Sequence, residues 1–310
     1  MIDILLPVYQ VNIKYFNELL KSLSTQSFTN FRILFGYDDI NSEDIIRKLL
    51  VNYPKINCVH IYNNNDNPGI FSNLNNLSKY IEGDYVQFLC QDDILYNEFL
   101  NDNYIALKFN NSVGLSFCQV DWCDQNSIIY KKDAHKSPID KSGVIAKNDL
   151  KLILLNDGCI PGNLSPVMLT KKAYLENIPF NENLKFASDF DFWYRISRKY
   201  NFYYVKKSNI ILRKHTQQAS ETIGIRQLIL DRIYIYNHLL SNISSITKRL
   251  KAIIYLNQTV GANQMLYLIR NKDFSFARNE FKHPFYPLLS LLFLFITLNG
   301  RIKYFNNKNT

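Results

Sequence analysis

The first 120 residues alternate short apolar runs with segments whose apolar residues recur at helical spacing. The runs predict four buried strands: Ile2–Val8, Phe31–Tyr37, Cys58–Tyr62 and Tyr85–Leu89. Helical spacing predicts a helix around Phe16, Leu19, Leu20 and Leu23, a second around Ile45, Ile46, Leu49 and Leu50, and a third near Ile70–Ile81. This alternation implies right-handed βαβ units and a parallel sheet, in which ligands bind beyond the carboxyl ends of the strands.

The remaining sequence predicts a continuation of the sheet and then a helical region. Further strands are expected within residues 113–131 and at Val167–Leu169, and helices over 145–156 and Ala187–Tyr200. After about residue 220 the pattern is mostly helical. We therefore expect an α/β domain over residues 1–220 and a C-terminal helical region over residues 221–310.

Composition and charge separate the same two regions. With 47% hydrophobic residues, the chain has enough apolar sequence for a sizeable core, which excludes global disorder. Residues 221–310 carry 12 Lys and Arg against 4 Asp and Glu, whereas residues 1–220 carry 24 against 23. The basic character of the chain, net +9, therefore belongs to its C-terminal region.

Cysteine usage and the N-terminus favour a cytoplasmic protein. The five cysteines show no CxxC spacing, so neither a zinc site nor a disulfide framework is expected, and a reducing compartment fits best. The N-terminal residues show no basic flank followed by an apolar core, and no secretory signal is therefore predicted.

Acidic pairs follow two of the predicted strands. Asp38 and Asp39 follow the second strand, and Asp92 and Asp93 follow the fourth. Carboxylates gathered at one sheet edge need positive or hydrogen-bonding partners. A divalent cation such as Mg²⁺ or Mn²⁺ suits the second pair and would bridge the diphosphate of a nucleotide. A single Asp-Asp pair is more often a helix cap, but two pairs in this order favour a binding site.

The segments "ILLPVYQ", "FRILFGYDD", "NPGIFSNLN" and "YVQFLCQDD" resemble the successive motifs of family 2 glycosyltransferases. The resemblance extends over about residues 1–215. It implies a GT-A fold, a Rossmann-like and mostly parallel mixed sheet flanked by helices. It also implies an inverting hexosyltransferase of bacterial polysaccharide biosynthesis, of the O-antigen or capsule type, that uses a nucleotide-sugar donor, here expected to be a UDP-sugar.

The resemblance also implies roles for individual residues. Tyr9 would stack on the nucleotide base, Asp39 would hydrogen-bond it, Asp92 would contact the ribose side and Asp93 would hold the cation. The full set of expected donor contacts is Pro7, Tyr9, Asp38, Asp39, Asn67, Gly69, Asn75 and Asp92. Two residues depart from the family pattern: Cys90 replaces the first Asp of DxD, and Leu74 replaces the usual Arg.

The segment "ASDFDFWYRIS" is similar to the family motif that carries the general base, which makes Asp189 the predicted base. A positioned carboxylate accelerates proton removal from a hydroxyl about 10²–10⁴-fold. An acid in the first turn of a helix is also an ordinary partner of the helix dipole. Asp191 is the weaker candidate, with a tentative acceptor role, and Trp193 and Arg195 are interpreted as packing and pairing residues.

Two further segments resemble family motifs. In "ILRKHTQQAS", His215 is expected to complete the metal shell or contact the diphosphate, with Arg213 or Lys214 balancing phosphate charge. In "GCIPGNLSPVML", Pro161 and Gly162 are expected to form a turn. Asn163 and Ser165 are tentative acceptor contacts, and a polar turn without ligand is an equal alternative.

The apolar stretch over residues 285–298 has two interpretations. At 14 residues it is shorter than the ~20 needed to cross a bilayer. It is flanked by Lys282, Arg301 and Lys303, which favours peripheral binding to the cytoplasmic face of the inner membrane and a lipid-linked saccharide acceptor. A buried core helix is the alternative. Nucleic-acid binding is not expected, because it would explain the positive charge of this region but not its apolar stretch.

Other functions are less consistent with the sequence. A sugar nucleotidyltransferase or a dehydrogenase would need a glycine-rich loop after the first strand, and "PVYQVNIKY" has none. A catalytically inactive donor-binding or membrane scaffold remains the alternative, because Cys90 and Leu74 depart from the family pattern.

Overall fold

The structure, a computed structural model, describes residues 1–63, 68–134, 138–218, 223–281 and 283–296. The chain forms two compact units. The first comprises Met1–Asn183 and Ser188–Gln218, and the second comprises Leu184–Ala187 and Ala219–Thr310.

The strands of the described residues all lie in the first unit. They are β1 (Ile2–Val8), β2 (Phe31–Tyr37), β3 (Cys58–Tyr62), β4 (Tyr85–Phe88), β5 (Ile94–Leu95), β6 (Val113–Cys123), β7 (Ile129–Lys131), β8 (Gly143–Ile145), β9 (Val167–Thr170) and β10 (Asn201–Arg213).

Seven α-helices belong to the first unit and five to the second, counted over the described residues. The first seven are α1 (Ile13–Ser24), α2 (Ile40–Leu50), α3 (Ile70–Leu77), α4 (Phe99–Lys108), α5 (Lys147–Asp157), α6 (Lys171–Leu175) and α7 (Ser188–Ser197). The other five are α8 (Ile225–Ser241), α9 (Ile246–Leu256), α10 (Ala262–Arg270), α11 (Phe274–Asn279) and α12 (Pro287–Ile296).

The strands form one mixed sheet in the order β3-β2-β1-β4-β9-β6-β10-β5, with β7 paired to β6 and β8 paired to β10. Strands β3, β2, β1 and β4 are parallel, whereas β9 runs antiparallel between β4 and β6. The carboxyl ends of β1, β2 and β4 therefore meet at one edge of the sheet. The predicted mixed α/β sheet flanked by helices is confirmed.

The apolar pattern explains where the core lies. Five apolar residues of β1 are fully buried, as expected for a strand covered on both faces. They are Ile2, Ile4, Leu5, Leu6 and Val8. In α1 the buried apolar residues are the four that the sequence pattern marked. The third predicted helix ends earlier than expected, at Leu77, and a 3₁₀ turn over Ser78–Tyr80 follows it.

The second unit is helical in its described part, as expected. Helix α12 includes most of the apolar stretch over residues 285–298, of which residues 297 and 298 lie outside the described residues, as do Lys282, Arg301 and Lys303. Ser290 and Leu294 are buried, whereas Leu288, Leu292 and Phe295 are 83%, 54% and 71% exposed. Among the described helices, none combines the length and apolar character required to cross a bilayer.

Substitution Gly114→Ala is expected to destabilise the first unit. A Cβ on Gly114 in β6 would lie 2.7 Å from Tyr200 Cβ and 2.9 Å from Ala173 Cβ. Overpacking of this kind typically costs about 1–3 kcal/mol. Urea denaturation should therefore show a lower free energy of unfolding. Gly143→Ala is the matched control, because the nearest atom to its Cβ would be Ile139 Cδ1 at 3.8 Å. Equal stability of both variants would contradict this account of the packing.

Candidate active site

Three potential metal ligands lie on the segment that follows β4. Cys90, Asp92 and Asp93 each offer one ligand atom, and these atoms all lie within 4.8 Å of one another. The segment leaves the carboxyl end of β4, beside the end of β1. The main chain thus brings a thiol and two carboxylates to the ligand-binding edge of the sheet.

Asp93 is a buried carboxylate that lacks full compensation. It is 2% exposed, and its Oδ1 accepts a hydrogen bond from the backbone N–H of Arg213 at 3.2 Å. Its Oδ2 is buried without a hydrogen-bond partner. Burial, together with the neighbouring charge of Asp92, raises the pKa of Asp93 well above its ordinary value, and the Ser165 hydroxyl and Arg213 offset this only in part. A buried oxygen of this kind fits a divalent cation as its missing partner.

Residues 90–93, which follow β4, are called the acidic segment below. Arg213, at the end of β10, holds this segment in place. Its side chain is fully buried, and its Nε donates to the backbone carbonyl of Asp92 at 3.0 Å. The guanidinium also pairs with Glu18 on α1 and lies over the ring of Tyr15, 4.2 Å from the centroid. Arg213 is therefore committed to these partners, and the expectation that it balances phosphate charge does not fit its burial. Lys214, the other predicted residue, is exposed.

His215 lies beside the acidic segment. Its Nε2 is 2.9 Å from Asp92 Oδ2, and its ring packs 5.4 Å from that of Tyr15. His215 was predicted to complete the metal shell or to contact the diphosphate; among the described residues the cluster of potential ligand atoms consists of Cys90, Asp92 and Asp93, and His215 contacts it through Asp92. Its contact with Asp92 indicates that it orients that carboxylate.

Ser165 supports the acidic segment from within the core. It is fully buried, and its Oγ accepts a hydrogen bond from the N–H of Cys90 at 2.8 Å. Ser165 was predicted to touch an acceptor, but its side chain is buried and its hydroxyl contacts Cys90. The turn expected at Pro161-Gly162 is present, since the N–H of Gly162 donates to Cys159 O at 3.0 Å and Gly162 adopts φ +74°. Asn163, the other tentative acceptor residue, is partly buried and its Oδ1 has no hydrogen-bond partner.

Asp189 lies in the first turn of α7 and is close enough to act electrostatically on two cysteines. Burial raises the pKa of the Cys90 thiol well above its ordinary value, and the charges of Asp93, Asp92 and Asp189 add to this effect. Burial also raises the pKa of the Cys159 thiol, and the charge of Asp189 again contributes. The predicted base and the acidic segment thus belong to one electrostatic environment.

The other residues of α7 have structural contacts. Asp191 is buried and forms an ion pair with Arg195, with 2.9 Å between Oδ2 and Nε. The Arg195 guanidinium also donates to the carbonyl of Pro179 at 2.8 Å. Trp193 is fully buried. Asp191, the tentative acceptor residue, therefore has its carboxylate engaged within the helix.

Asp39 caps a helix at the same sheet edge. Its Oδ1 accepts from the N–H of Ser42 at 2.9 Å, and its Oδ2 accepts from the N–H of Gln10 at 3.0 Å. Burial alone would raise the pKa of Asp39, but these hydrogen bonds outweigh it and lower the pKa. For Asp38, burial raises the pKa despite a 2.6 Å hydrogen bond from Asn63 Nδ2 to its Oδ1. Asp39 is thus the N-cap of α2, and it also lies at the edge of the sheet where the acidic pairs were predicted.

Tyr9 follows β1 with its ring available for stacking. The side chain is 54% exposed. Its backbone is fixed to the acidic segment, since Gln91 Nε2 donates to Tyr9 O at 2.7 Å and Tyr9 N donates to Gln91 Oε1 at 3.2 Å. Pro7 lies within β1, in register with Gly36. Hydrogen bonds therefore join the residue that follows β1 directly to the segment after β4.

The start of α3 carries the last predicted donor contacts. Gly69 precedes the helix with φ +150°, a conformation that favours glycine. Asn75 has its amide engaged: Nδ2 donates to Phe180 O at 3.0 Å and to Glu182 Oε1 at 2.8 Å, and Oδ1 accepts from Phe180 N. Asn75 thus anchors a neighbouring loop. Asn67 lies outside the described residues.

Sequence reasoning did not identify the parts of the site that depend on distant contacts. Glu18, a partly buried residue of α1, has no motif signal, and its pairing with Arg213 joins residues far apart in the chain. Gln91 lies within the motif "CQDD", but its hydrogen bonds to the main chain of Tyr9 could not be predicted from that motif. Cys90 was noted as a departure, although its position between β4 and the paired acids was a signal for metal ligation.

A mixed sheet with acidic residues beyond the ends of its parallel strands is the architecture of the GT-A class of nucleotide-sugar-binding folds. The chain belongs to glycosyl transferase family 2, whose model, described as "Glycosyl transferase family 2", matches residues 3–163. The family identified from the sequence motifs is confirmed.

Curated relatives are named as glycosyltransferases. An uncharacterized glycosyltransferase from Rickettsia typhi is 28% identical over 228 residues, which is 72% of this chain and 66% of that protein. An uncharacterized glycosyltransferase from Methanocaldococcus jannaschii is 25% identical over 206 residues, 65% of this chain and 67% of that protein. The matched region spans 66% and 67% of the length of these two relatives.

Solved structures share the fold. TarS from S. aureus, in complex with UDP-GlcNAc, has a TM-score of 0.60 at 18% identity, covering 84% of this chain and 71% of that chain. The mannosyltransferase PcManGT from Pyrobaculum calidifontis, in complex with GDP-Man and Mn²⁺, has a TM-score of 0.58 at 10% identity, covering 87% and 75%. At these identities the likeness establishes the fold.

Substitution Asp93→Asn is expected to stabilise the metal-free protein at neutral pH. Because the pKa of Asp93 is raised in the folded state, its contribution to stability falls as pH rises above the ordinary aspartate pKa of about 3.9. A neutral amide avoids this loss, so the variant should gain on the order of 1 kcal/mol or more at pH 7.

Chemical denaturation in a chelator at several pH values measures this difference. The gain should shrink as pH falls toward 4, where the wild-type carboxyl group holds its proton. Asp149→Asn is the control, since this acid is exposed in the first turn of α5. A variant less stable than the wild type at pH 7 would contradict the assignment of Asp93 as an uncompensated charge.

Proposed function

We propose that this protein transfers a sugar from a nucleotide-sugar donor, a UDP-sugar, to a saccharide acceptor with inversion at the anomeric carbon. Family membership supports sugar transfer. The observation that supports the residue assignment is that the charge of Asp189 acts on the Cys90 thiol, which belongs to the segment that also holds Asp92 and Asp93. Together they provide a base for the acceptor beside a set of oxygens suited to a cation and a diphosphate.

Asp189 is proposed to act as the general base. Its carboxylate takes the proton of the acceptor hydroxyl as that oxygen forms a bond to the anomeric carbon. The bond between that carbon and the donor phosphate oxygen breaks in the same step, and the nucleoside diphosphate leaves with the electron pair. A single displacement of this kind gives a β-linked product from an α-linked donor.

The donor is proposed to lie along the edge formed by β1, β2 and β4. The exposed ring of Tyr9 is suited to stacking on the base, and Asp39 would accept a hydrogen bond from it. Asp92 and Asp93 would hold Mn²⁺ or Mg²⁺, and the unpartnered Oδ2 of Asp93 supports this assignment. When bound, the cation would neutralise charge on the diphosphate.

The acceptor is proposed to be lipid-linked and the protein peripheral to the membrane. In α12, Leu288, Leu292 and Phe295 recur at the spacing of one helix face and are exposed. The same unit carries exposed basic residues on α9, among them Lys248 and Lys251. An apolar face combined with positive charge is complementary to an anionic bilayer surface.

Substitution Asp189→Asn tests the catalytic assignment. We expect sugar transfer to fall by about 10²–10⁴-fold, because the amide cannot accept the hydroxyl proton. Nucleotide-sugar binding should persist, since the base acts on the acceptor. Transfer, or hydrolysis of the donor where no acceptor is known, is measured with Mn²⁺ for a panel of nucleotide-sugars, and binding is measured by thermal shift.

Asp149→Asn is again the matched control, because it removes an acid from the first turn of another helix. Full activity of Asp189→Asn would contradict the assignment of the base. Donor binding without turnover in the wild-type protein, across the panel, would instead favour the inactive donor-binding scaffold.

The double substitution of Leu288 and Leu292 by Ser tests the membrane assignment. Loss of two apolar side chains from the bilayer contact should weaken binding to phosphatidylglycerol vesicles by about tenfold or more. Co-sedimentation with these vesicles is the measurement. Phosphatidylcholine vesicles should bind the wild-type protein more weakly, because they lack the negative surface charge.

Val51 and Phe109, which are 77% and 71% exposed in the first unit, provide the control double substitution by Ser. Equal losses in both double variants, or no binding of the wild type to anionic vesicles, would contradict the proposed membrane surface.

A further inference from the structure

The residue that departs from the family's acidic motif lies among the potential metal ligands. Cys90 occupies the position where many family members carry an aspartate. Its ligand atom nevertheless lies within 4.8 Å of those of Asp92 and Asp93. The structure therefore offers a cation one thiol sulfur and two carboxylate oxygens.

A second observation indicates that this cluster binds a ligand. Asp93 is 2% exposed, and its Oδ2 has no hydrogen-bond partner. Buried polar atoms in folded proteins are nearly always paired, so an atom of this kind indicates a missing partner. Because the nearby ligand atoms are a carboxylate and a thiol, a cation fits the place of that partner.

The main chain holds Cys90 at a fixed place in this cluster. Its N–H donates to the Oγ of fully buried Ser165 at 2.8 Å. The next residue, Gln91, is bonded to the main chain of Tyr9 through both polar atoms of its side chain. The backbone on either side of the thiol is thus anchored to the core and to β1, which keeps the sulfur beside the carboxylates.

We propose that Cys90 is a thiolate ligand of the metal centre and makes this centre select Co²⁺ or Zn²⁺ over Mg²⁺. The inference rests on the metal site in the proposed function. Thiolates prefer borderline and soft cations, whereas Mg²⁺ prefers oxygen ligands alone. Binding releases the thiol proton to solvent, because a coordinated thiol is deprotonated. Replacing an aspartate with a cysteine thus keeps one negative ligand and changes its softness.

Cobalt provides a readout that is independent of activity. Metal-free full-length protein is titrated with Co²⁺, and the near-ultraviolet absorption of a sulfur-to-cobalt charge-transfer band is recorded. The wild type should develop this band to a limit of one cobalt per chain. Cys90→Ser and Cys90→Asp should lack the band. Cys159→Ser, which removes another cysteine near Asp189, should retain it.

Metal affinities test the selectivity. Cys90→Ser should bind Co²⁺ at least about tenfold more weakly than the wild type, with little change for Mg²⁺. Cys90→Asp should bind Mg²⁺ more tightly than the wild type, since it restores an all-oxygen set. Circular dichroism and unfolding curves of the metal-free variants verify that each is folded.

Two results would overturn the proposal, and they differ in their meaning for the proposed function. Co²⁺ binding without the charge-transfer band, and with equal affinity in Cys90→Ser, would exclude the thiolate ligand while keeping a metal-dependent transferase. Failure of the wild type to bind Co²⁺ or Mn²⁺ at all would exclude both the ligand and the metal dependence. In that case, transfer measured in a chelator decides whether the sugar transfer itself stands.

Discussion

The structure of the site depends on one constraint: Asp93 carries a carboxylate into the protein interior without full compensation. An isolated buried charge is costly, and only hydrogen bonds or an opposite charge reduce that cost. One oxygen receives the Arg213 N–H, and the other has no partner. The surrounding contacts fix where the carboxylate points but leave its charge only partly balanced. The fold thus keeps a position at which a cation would be stabilising.

This arrangement requires a rigid frame, which distant elements supply. Arg213 from β10 pairs with Glu18 from α1 and bonds the main chain of the acidic segment. Gln91 bonds that segment to the end of β1. Because sheet order brings β1 next to β4, and β10 next to β6, these contacts join residues widely separated in sequence. The main chain of the acidic segment is therefore fixed, and the segment cannot easily move the Asp93 carboxylate out of the protein interior.

The sequence predicted the local part of this structure better than its long-range part. The bounds of β1, β2 and β3 follow from continuous apolar runs, and the confirmed buried face of α1 follows from helical spacing. Helix α4 was not predicted. The roles of Ser165 and Asn75 could not be read from their motifs, because a polar residue in a turn looks the same whether it faces a ligand or another loop. Their observed partners, Cys90 and the main chain of Phe180, are set by tertiary packing.

Charge balance explains why a cation and a diphosphate belong together here. The acidic segment and α7 bring Asp92, Asp93 and Asp189 into one electrostatic environment. Arg213 adds positive charge, but Glu18 is its partner. A diphosphate entering this environment alone would be repelled by the carboxylates, whereas a divalent cation between them converts the repulsion into attraction. If Asp92 and Asp93 together balance that cation, their charge would no longer oppose the proposed role of Asp189 as the base that takes a proton from the acceptor. The acidic segment and the proposed base would then depend on each other, because balancing the charge of Asp92 and Asp93 reduces the repulsion that they exert on a third carboxylate.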